Sequence, residues 1–258
     1  MEVVICRDYD QMSRRAAQVV ADVVRRKPKA VLGFATGSSP VGLYQELIRM
    51  HREEGLDFAK VTTFNLDEYV GLAPDHPQSY RRFMNENLFD HLNVPKKSTH
   101  VPPGTAADVE AACAAYEKQI RAKGGIDVQV LGIGSDGHVA FNEPGSSLGS
   151  RTRRVTLTKQ TIDDNARFFA RKKDVPIHAI SMGVGTILEA RRLVMVVSGK
   201  NKTAALAAAV EGPITSMITA SALQLHPDAI VCVTKDAAGG LKMRPYYEWI
   251  QSQARKAT

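Results

Sequence analysis

The run Ala30-Val31-Leu32-Gly33-Phe34-Ala35-Thr36-Gly37-Ser38-Ser39-Pro40 passes from six apolar or small residues to a glycine, three hydroxyls and a proline. A continuous apolar run, rather than an alternating one, marks a strand buried on both faces. Gly37 follows it, and Ser39 with Pro40 reads as the N-cap and first turn of a helix whose stripe is Leu43, Tyr44, Leu47 and Ile48. The same alternation extends in both directions. Residues 3–5 read as a strand, and residues 11–27 place Met12, Ala16, Val19, Val20 and Val23 at helical spacing until Pro28 stops them. Downstream, residues 61–64, 128–133, 177–182, 193–197 and 229–233 are strand-like. Residues 80–92 and a helix capped by Asp108, with Val109, Ala112, Cys113, Tyr116 and Ile120 on one face, lie between them. Strands alternating with helices predict an α/β fold of one mostly parallel sheet with helices on both faces, a three-layer sandwich in a single domain over residues 1–258. In such sheets ligands bind beyond the carboxyl ends of the strands.

At 258 residues, 44% hydrophobic and 24% charged, the chain has the balance of a globular protein with a large core. Its start, MEVVICRDYDQ, has only four apolar residues before charges begin, too few for a secretory signal, and no later stretch approaches a membrane span. Cys6, Cys113 and Cys232 are odd in number, far apart and set among apolar neighbours, which predicts buried thiols in a reducing, cytoplasmic setting. Of the net charge of +7, most falls between residues 151 and 173. There Arg151, Arg153, Arg154, Lys159, Arg167, Arg171, Lys172 and Lys173 face only Asp163 and Asp164. Such a field attracts anions.

Three loops at predicted strand ends carry polar chemistry. Thr36, Gly37, Ser38 and Ser39 offer hydroxyls and backbone N–H groups at a helix start, a phosphate-sized anion site or an ordinary capped turn. Asn65-Leu66-Asp67-Glu68-Tyr69 sets two adjacent acids where packing explains them poorly. One of the two can face a cleft and move a proton while the other supports it, or the Asp simply caps a helix and the Glu faces solvent, the plainer reading of the loop taken alone. Gly132-Ile133-Gly134-Ser135-Asp136-Gly137-His138 formally matches a dinucleotide fingerprint. However, Asn142, Pro144 and Gly145 follow instead of a helix, and no acid stands in Val155-Thr156-Leu157-Thr158 to hold a ribose. What remains is His138 between Asp136 and Glu143, an oriented acid–base or a metal site.

The strings LGFATGSSP, TTFNLDEYVGL, LGIGSDGHVAFNEPGSSLGSRTR, NARFF, SGKNK and ALQLHP resemble the glucosamine-6-phosphate deaminase family in order and spacing. The resemblance implies a modified Rossmann-like fold without a dinucleotide. It also implies conversion of glucosamine 6-phosphate and water to fructose 6-phosphate and ammonia, with no cofactor and no metal. By motif position, Asp67 would carry the proton between C2 and C1. His138, oriented by Asp136 and Glu143, would open the sugar ring. Arg167, Lys202 and the loop of Thr36, Gly37, Ser38 and Ser39 would bind the phosphate, and residues 151–175 would form a lid. The implied partner is a small amino-sugar phosphate, with no nucleic acid and no membrane. Some members of the family are homo-oligomers with an effector site, part of which would fall on Ser146, Ser147 and Arg153, although Val155 replaces the lysine of the allosteric members. A 6-phosphogluconolactonase and a galactosamine 6-phosphate isomerase are the related alternatives. A sugar-phosphate sensor or an RNA binder, drawing on Phe168-Phe169 among the arginines, is the unrelated one.

Overall fold

All four residues of the strand Val31–Phe34 are buried, as its unbroken apolar pattern requires. The computed structural model describes residues 1–254. Its first half runs β1 (Glu2–Cys6), α1 (Tyr9–Arg26), β2 (Val31–Phe34), α2 (Val41–Glu54), β3 (Thr62–Asn65), β4 (Asp67–Tyr69), α3 (Tyr80–Asn87), β5 (Thr99–His100) and α4 (Val109–Ala122). Then follow β6 (Val128–Leu131), β7 (Arg153–Thr156), α5 (Lys159–Ala166), β8 (His178–Ser181), α6 (Val184–Leu188), β9 (Leu193–Val197), α7 (Thr203–Glu211), β10 (Ala229–Thr234) and α8 (Arg244–Ala254).

Seven strands form one parallel sheet in the order β1-β10-β9-β6-β2-β3-β5. Successive side chains of a strand point to opposite faces, and the core divides accordingly. Leu32 and Phe34 pack with α1 and α2, while Val31 and Ala35 pack with α4, α6 and α7. From β2 the chain steps to β3 on one side, and from β6 it steps to β9 on the other. The winding therefore reverses between β2 and β6, and a crevice opens beyond their carboxyl ends. Cys6, Cys113 and Cys232 are buried. Among the described residues no helix is long and apolar enough to cross a membrane.

Three local expectations are corrected. Residues 177–182 do form a strand, but β8 lies outside the parallel sheet, in a small antiparallel sheet ordered β4-β8-β7. Its edge strand β7 alternates between half-buried and exposed residues, and a sheet wet on one face is characteristically antiparallel. The helix expected over residues 80–92 ends at Asn87, where the side-chain amide donates to the Phe83 carbonyl at 2.8 Å. Leu88 and Phe89 then turn into the core below α2. Ser39 does not cap α2 with its hydroxyl. Instead the Tyr9 phenol accepts from the Gly42 N–H at 2.8 Å and donates to the Ser38 carbonyl at 2.9 Å.

At the sheet's open edge, the Gln251 amide of α8 accepts from the Ile5 N–H at 3.1 Å and donates to the Ile5 carbonyl at 3.2 Å. One side chain thus imitates a neighbouring strand for β1.

Candidate active site

A cleft of about 1070 Å³ occupies the reversal point between β2 and β6. Four strand ends feed it: the loop after β2, the β3–β4 turn, the glycine-rich turn after β6 and the turn after β9. Thr36, Gly37, Ser38, Ser39, Asp67, His138, Arg167 and Lys202 all line it. Asp136 and Glu143 do not line it but stand behind His138. Ser146, Ser147 and Arg153 lie outside it, and the Arg153 guanidinium donates to Asn142 Oδ1 at 2.9 Å.

The two acids of the β3–β4 turn have separate tasks. Glu68 accepts the backbone N–H groups of Tyr69, Tyr80 and Arg81 at 2.9, 2.9 and 3.0 Å, so it holds the start of α3, where N–H groups lack helical partners. Asp67 is 5% exposed, and its Oδ1 has no hydrogen-bond partner. Burial and then the Glu68 charge push the Asp67 carboxyl up to about 8, against a smaller opposing effect of the Thr36 hydroxyl. A carboxyl poised this close to neutrality exchanges a proton readily.

Across the cleft, His138 Nδ1 lies 2.7 Å from Asp136 Oδ1 and 3.7 Å from Glu143 Oε2. Glu143 Oε2 is buried with no hydrogen bond of its own. Burial raises the Asp136 carboxyl, but the hydrogen bonds and charge of His138 outweigh it and hold the group below the usual range. Three ligand atoms here lie within 4.8 Å of one another, and no further His, Cys or carboxylate joins them among the described residues.

The glycines of this turn serve the imidazole. A Cβ on Gly134 would stand 2.5 Å from His138 Cε1 and Nδ1, so only glycine lets the ring lie over the backbone. Gly137 has φ +90°, and a Cβ there would meet Ile218 at 2.8 Å. The apparent dinucleotide fingerprint is thus a seat for a side chain. Just beyond it Ala140, facing the cleft, is held at φ +52°, a left-handed conformation unusual for a residue with a Cβ.

Lys202 follows β9, and burial lowers its pKa; Arg167 lowers it too, while Asp164 and Asp136 act the other way. Arg167 ends α5, with its guanidinium carbon 4.7 Å from the Phe168 ring centroid. No sequence pattern announces the aromatic wall. Tyr80 stacks on Phe141 at 6.0 Å and 13°, and Tyr69 meets Phe169 edge-on at 5.7 Å. These four rings come from distant segments, so no spacing announces them. Phe168 and Phe169 part company: the second packs into this wall, and the first is 47% exposed.

A doubly wound sheet with a buried carboxyl and a carboxylate-backed imidazole facing across its switch-point cleft defines an α/β acid–base enzyme. Residues 8–232 match the family model for glucosamine-6-phosphate isomerases/6-phosphogluconolactonase. The chain is 53% identical over 256 residues to the glucosamine-6-phosphate deaminase of Cellvibrio japonicus (strain Ueda107), covering 99% of this chain and 97% of that one. It is 51% identical over 247 residues to the deaminase of Arthrobacter sp. (strain FB24), covering 96% and 95%. A solved structure of a monomeric glucosamine-6-phosphate deaminase superposes with a TM-score of 0.92 at 45% identity, covering 93% of this chain and 100% of that one. The 6-phosphogluconolactonase of Trypanosoma cruzi, at 18% identity and a TM-score of 0.73 over 93% and 97%, shares the fold. The chain belongs to the glucosamine-6-phosphate isomerase/6-phosphogluconolactonase family.

Proposed function

We propose that the chain converts glucosamine 6-phosphate and water to fructose 6-phosphate and ammonia, a step of amino-sugar breakdown. The observation that carries this is the pair of acid–base stations facing one cleft: Asp67 on one strand end, and His138 backed by Asp136 and Glu143 on another. A pyranose hides its carbonyl, so the ring must open before the carbon beside it can be enolised, and two stations serve these two tasks.

His138 takes the proton of the anomeric hydroxyl and returns one to the ring oxygen, giving the open aldehyde. Asp136 and Glu143 hold the imidazole for this exchange. The Asp67 carboxylate then removes the C2 proton; the C–H electrons form C1=C2 as the carbonyl electrons shift to O1, which takes a proton from the substrate's ammonium to give a neutral enolamine, and Asp67 delivers its proton to C1. The resulting C2 iminium takes up water, the C–N bond breaks, and ammonia leaves as the ketone forms. Proton transfer and hydrolysis account for every step, so the reaction calls for neither a redox cofactor nor a metal. The substrate's ammonium, arriving beside Asp67, favours the carboxylate form that the empty site resists.

Lys202, Arg167 and the loop of Thr36, Gly37, Ser38 and Ser39 hold the phosphate. Residues 151–175 act as the lid, anchored where Phe169 meets Tyr69 and where the Thr158 N–H donates to Glu143 Oε1 at 3.1 Å. The chain works as a single domain in the cytoplasm on a small amino-sugar phosphate, without nucleic acid or membrane. The likeness to a monomeric deaminase supports a monomer over a homo-oligomer, which sedimentation distinguishes. An anionic effector at Ser146, Ser147 and Arg153 would have to share Arg153 with Asn142.

Metal-free protein given glucosamine 6-phosphate, with galactosamine 6-phosphate alongside, should release ammonia and fructose 6-phosphate from the first. Complete dependence on added metal or NAD would reject the mechanism. A His138→Gln variant that turned over the ring form unimpaired would remove the ring-opening role.

A further inference from the structure

Asp164 lines the cleft, and neither station uses it. It lies on α5 within the basic segment, three residues before Arg167, and both residues line the cleft. Its Oδ2 accepts from the Ser135 hydroxyl at 2.9 Å, and its Oδ1 from Gln160 Nε2 at 2.9 Å. Ser135 sits in the glycine-rich turn after β6, and Lys202 in the turn after the adjoining strand β9. The hydrogen bond to Ser135 therefore brings the lid's carboxylate over the end of the cleft that Lys202 occupies. Among the described residues, Lys202 and Arg167 form no ion pair of their own.

We propose that Asp164 is a lid-borne carboxylate that holds the empty lid down and competes with the incoming phosphoryl group for the cationic end of the cleft. This rests on the reading that Lys202 and Arg167 hold the phosphate. The charge of Asp164 is felt at the Lys202 ammonium, so a phosphate dianion placed on Lys202 feels the same carboxylate as a repulsion. Entry of the phosphate then requires the bond between Ser135 and Asp164 to open or the lid to shift. The lid is thus held down in the empty enzyme by an anion, and the phosphoryl group that enters takes that anion's place.

Calorimetric titration with inorganic phosphate tests this without relying on turnover. The variants are Asp164→Asn, Asp164→Glu and Lys202→Ala. Asp164→Asn keeps an oxygen for the Ser135 hydroxyl and removes only the charge. It should bind phosphate about threefold to tenfold more tightly than the parent, as loss of one near-surface like charge allows. That gain should shrink as salt is raised, because exposed charges are screened; a purely structural effect of the substitution would not. Asp164→Glu retains the charge and should stay within about twofold of the parent. Lys202→Ala should weaken phosphate binding strongly. If Lys202→Ala weakens binding but Asp164→Asn leaves it unchanged or weaker, the proposal about Asp164 is overturned alone. If Lys202→Ala has no effect, the placement of the phosphate falls, and the proposal with it.

Discussion

Replacing Asp67 by Asn should stabilise the folded chain, and increasingly so as pH rises. The Asp67 carboxyl is buried, one of its oxygens has no partner, and its folded pKa stands at about 8 against an ordinary 3.8. Between those two values the folded chain holds a proton that the unfolded chain has released, so stability falls as pH rises through the window. Each unit of difference is worth about 1.4 kcal/mol. From about pH 5 to pH 8 the parent should therefore lose about 4 kcal/mol that an uncharged, similarly shaped Asn does not lose. Urea unfolding of both proteins at the two pH values reads the difference directly. The gap in favour of Asp67→Asn should widen by about that amount while deamination is lost. A gap constant to within about 0.5 kcal/mol would show the Asp67 carboxyl titrating near its ordinary value. The expected result is an enzyme made more stable by removing the group it works with.

The same pKa shapes the rate profile: kcat/KM should rise along an acid limb that bends near 8, and kcat should bend lower, because bound ammonium favours the carboxylate. A limb near 3.8 in kcat/KM would contradict this. Gly134→Ala would press a methyl onto the His138 ring and should lower kcat about 100-fold with the circular dichroism spectrum retained; unchanged kcat would show that the ring's seat is unimportant. Glu117 accepts from the Thr152 N–H at 2.9 Å and the Thr152 and Thr186 hydroxyls at 2.6 Å each, and it pairs with Arg151. Glu117→Ala should therefore cost about 3 kcal/mol in urea unfolding and loosen the base of β7; a loss below about 1 kcal/mol would mean that these partners rearrange freely.

Legibility followed burial. Strands buried on both faces, such as Val31–Phe34 and Leu193–Val197, wrote themselves as unbroken apolar runs, and their parallel stacking followed. The strand His178–Ser181 looked the same in sequence because Ala179, Ile180 and Ser181 are themselves buried, and only pairing with Asp67–Tyr69 shows that it left the main sheet. Asp67 and His138 stood out as polar residues at strand ends, where packing gives no reason for them. Which of Asp67 and Glu68 faced the cleft was undecidable from adjacency alone. It was settled by α3, whose exposed N–H groups take Glu68. The aromatic wall and the contact of Ser135 with Asp164 arise from segments far apart in sequence and carry no local pattern.

The Gln251 amide on Ile5 bears on how the protein can be handled. β1 is an outer strand whose hydrophobic side chains are nearly all buried. Without α8 its Ile5 N–H and carbonyl would be offered to any extended segment, the usual route to edge-to-edge aggregation. A C-terminal truncation before Arg244 should therefore act on solubility before it acts on turnover, since α8 contributes nothing to the cleft. Among the described residues α8 is a guard rail for β1, with the Gln251 amide as its catch on Ile5.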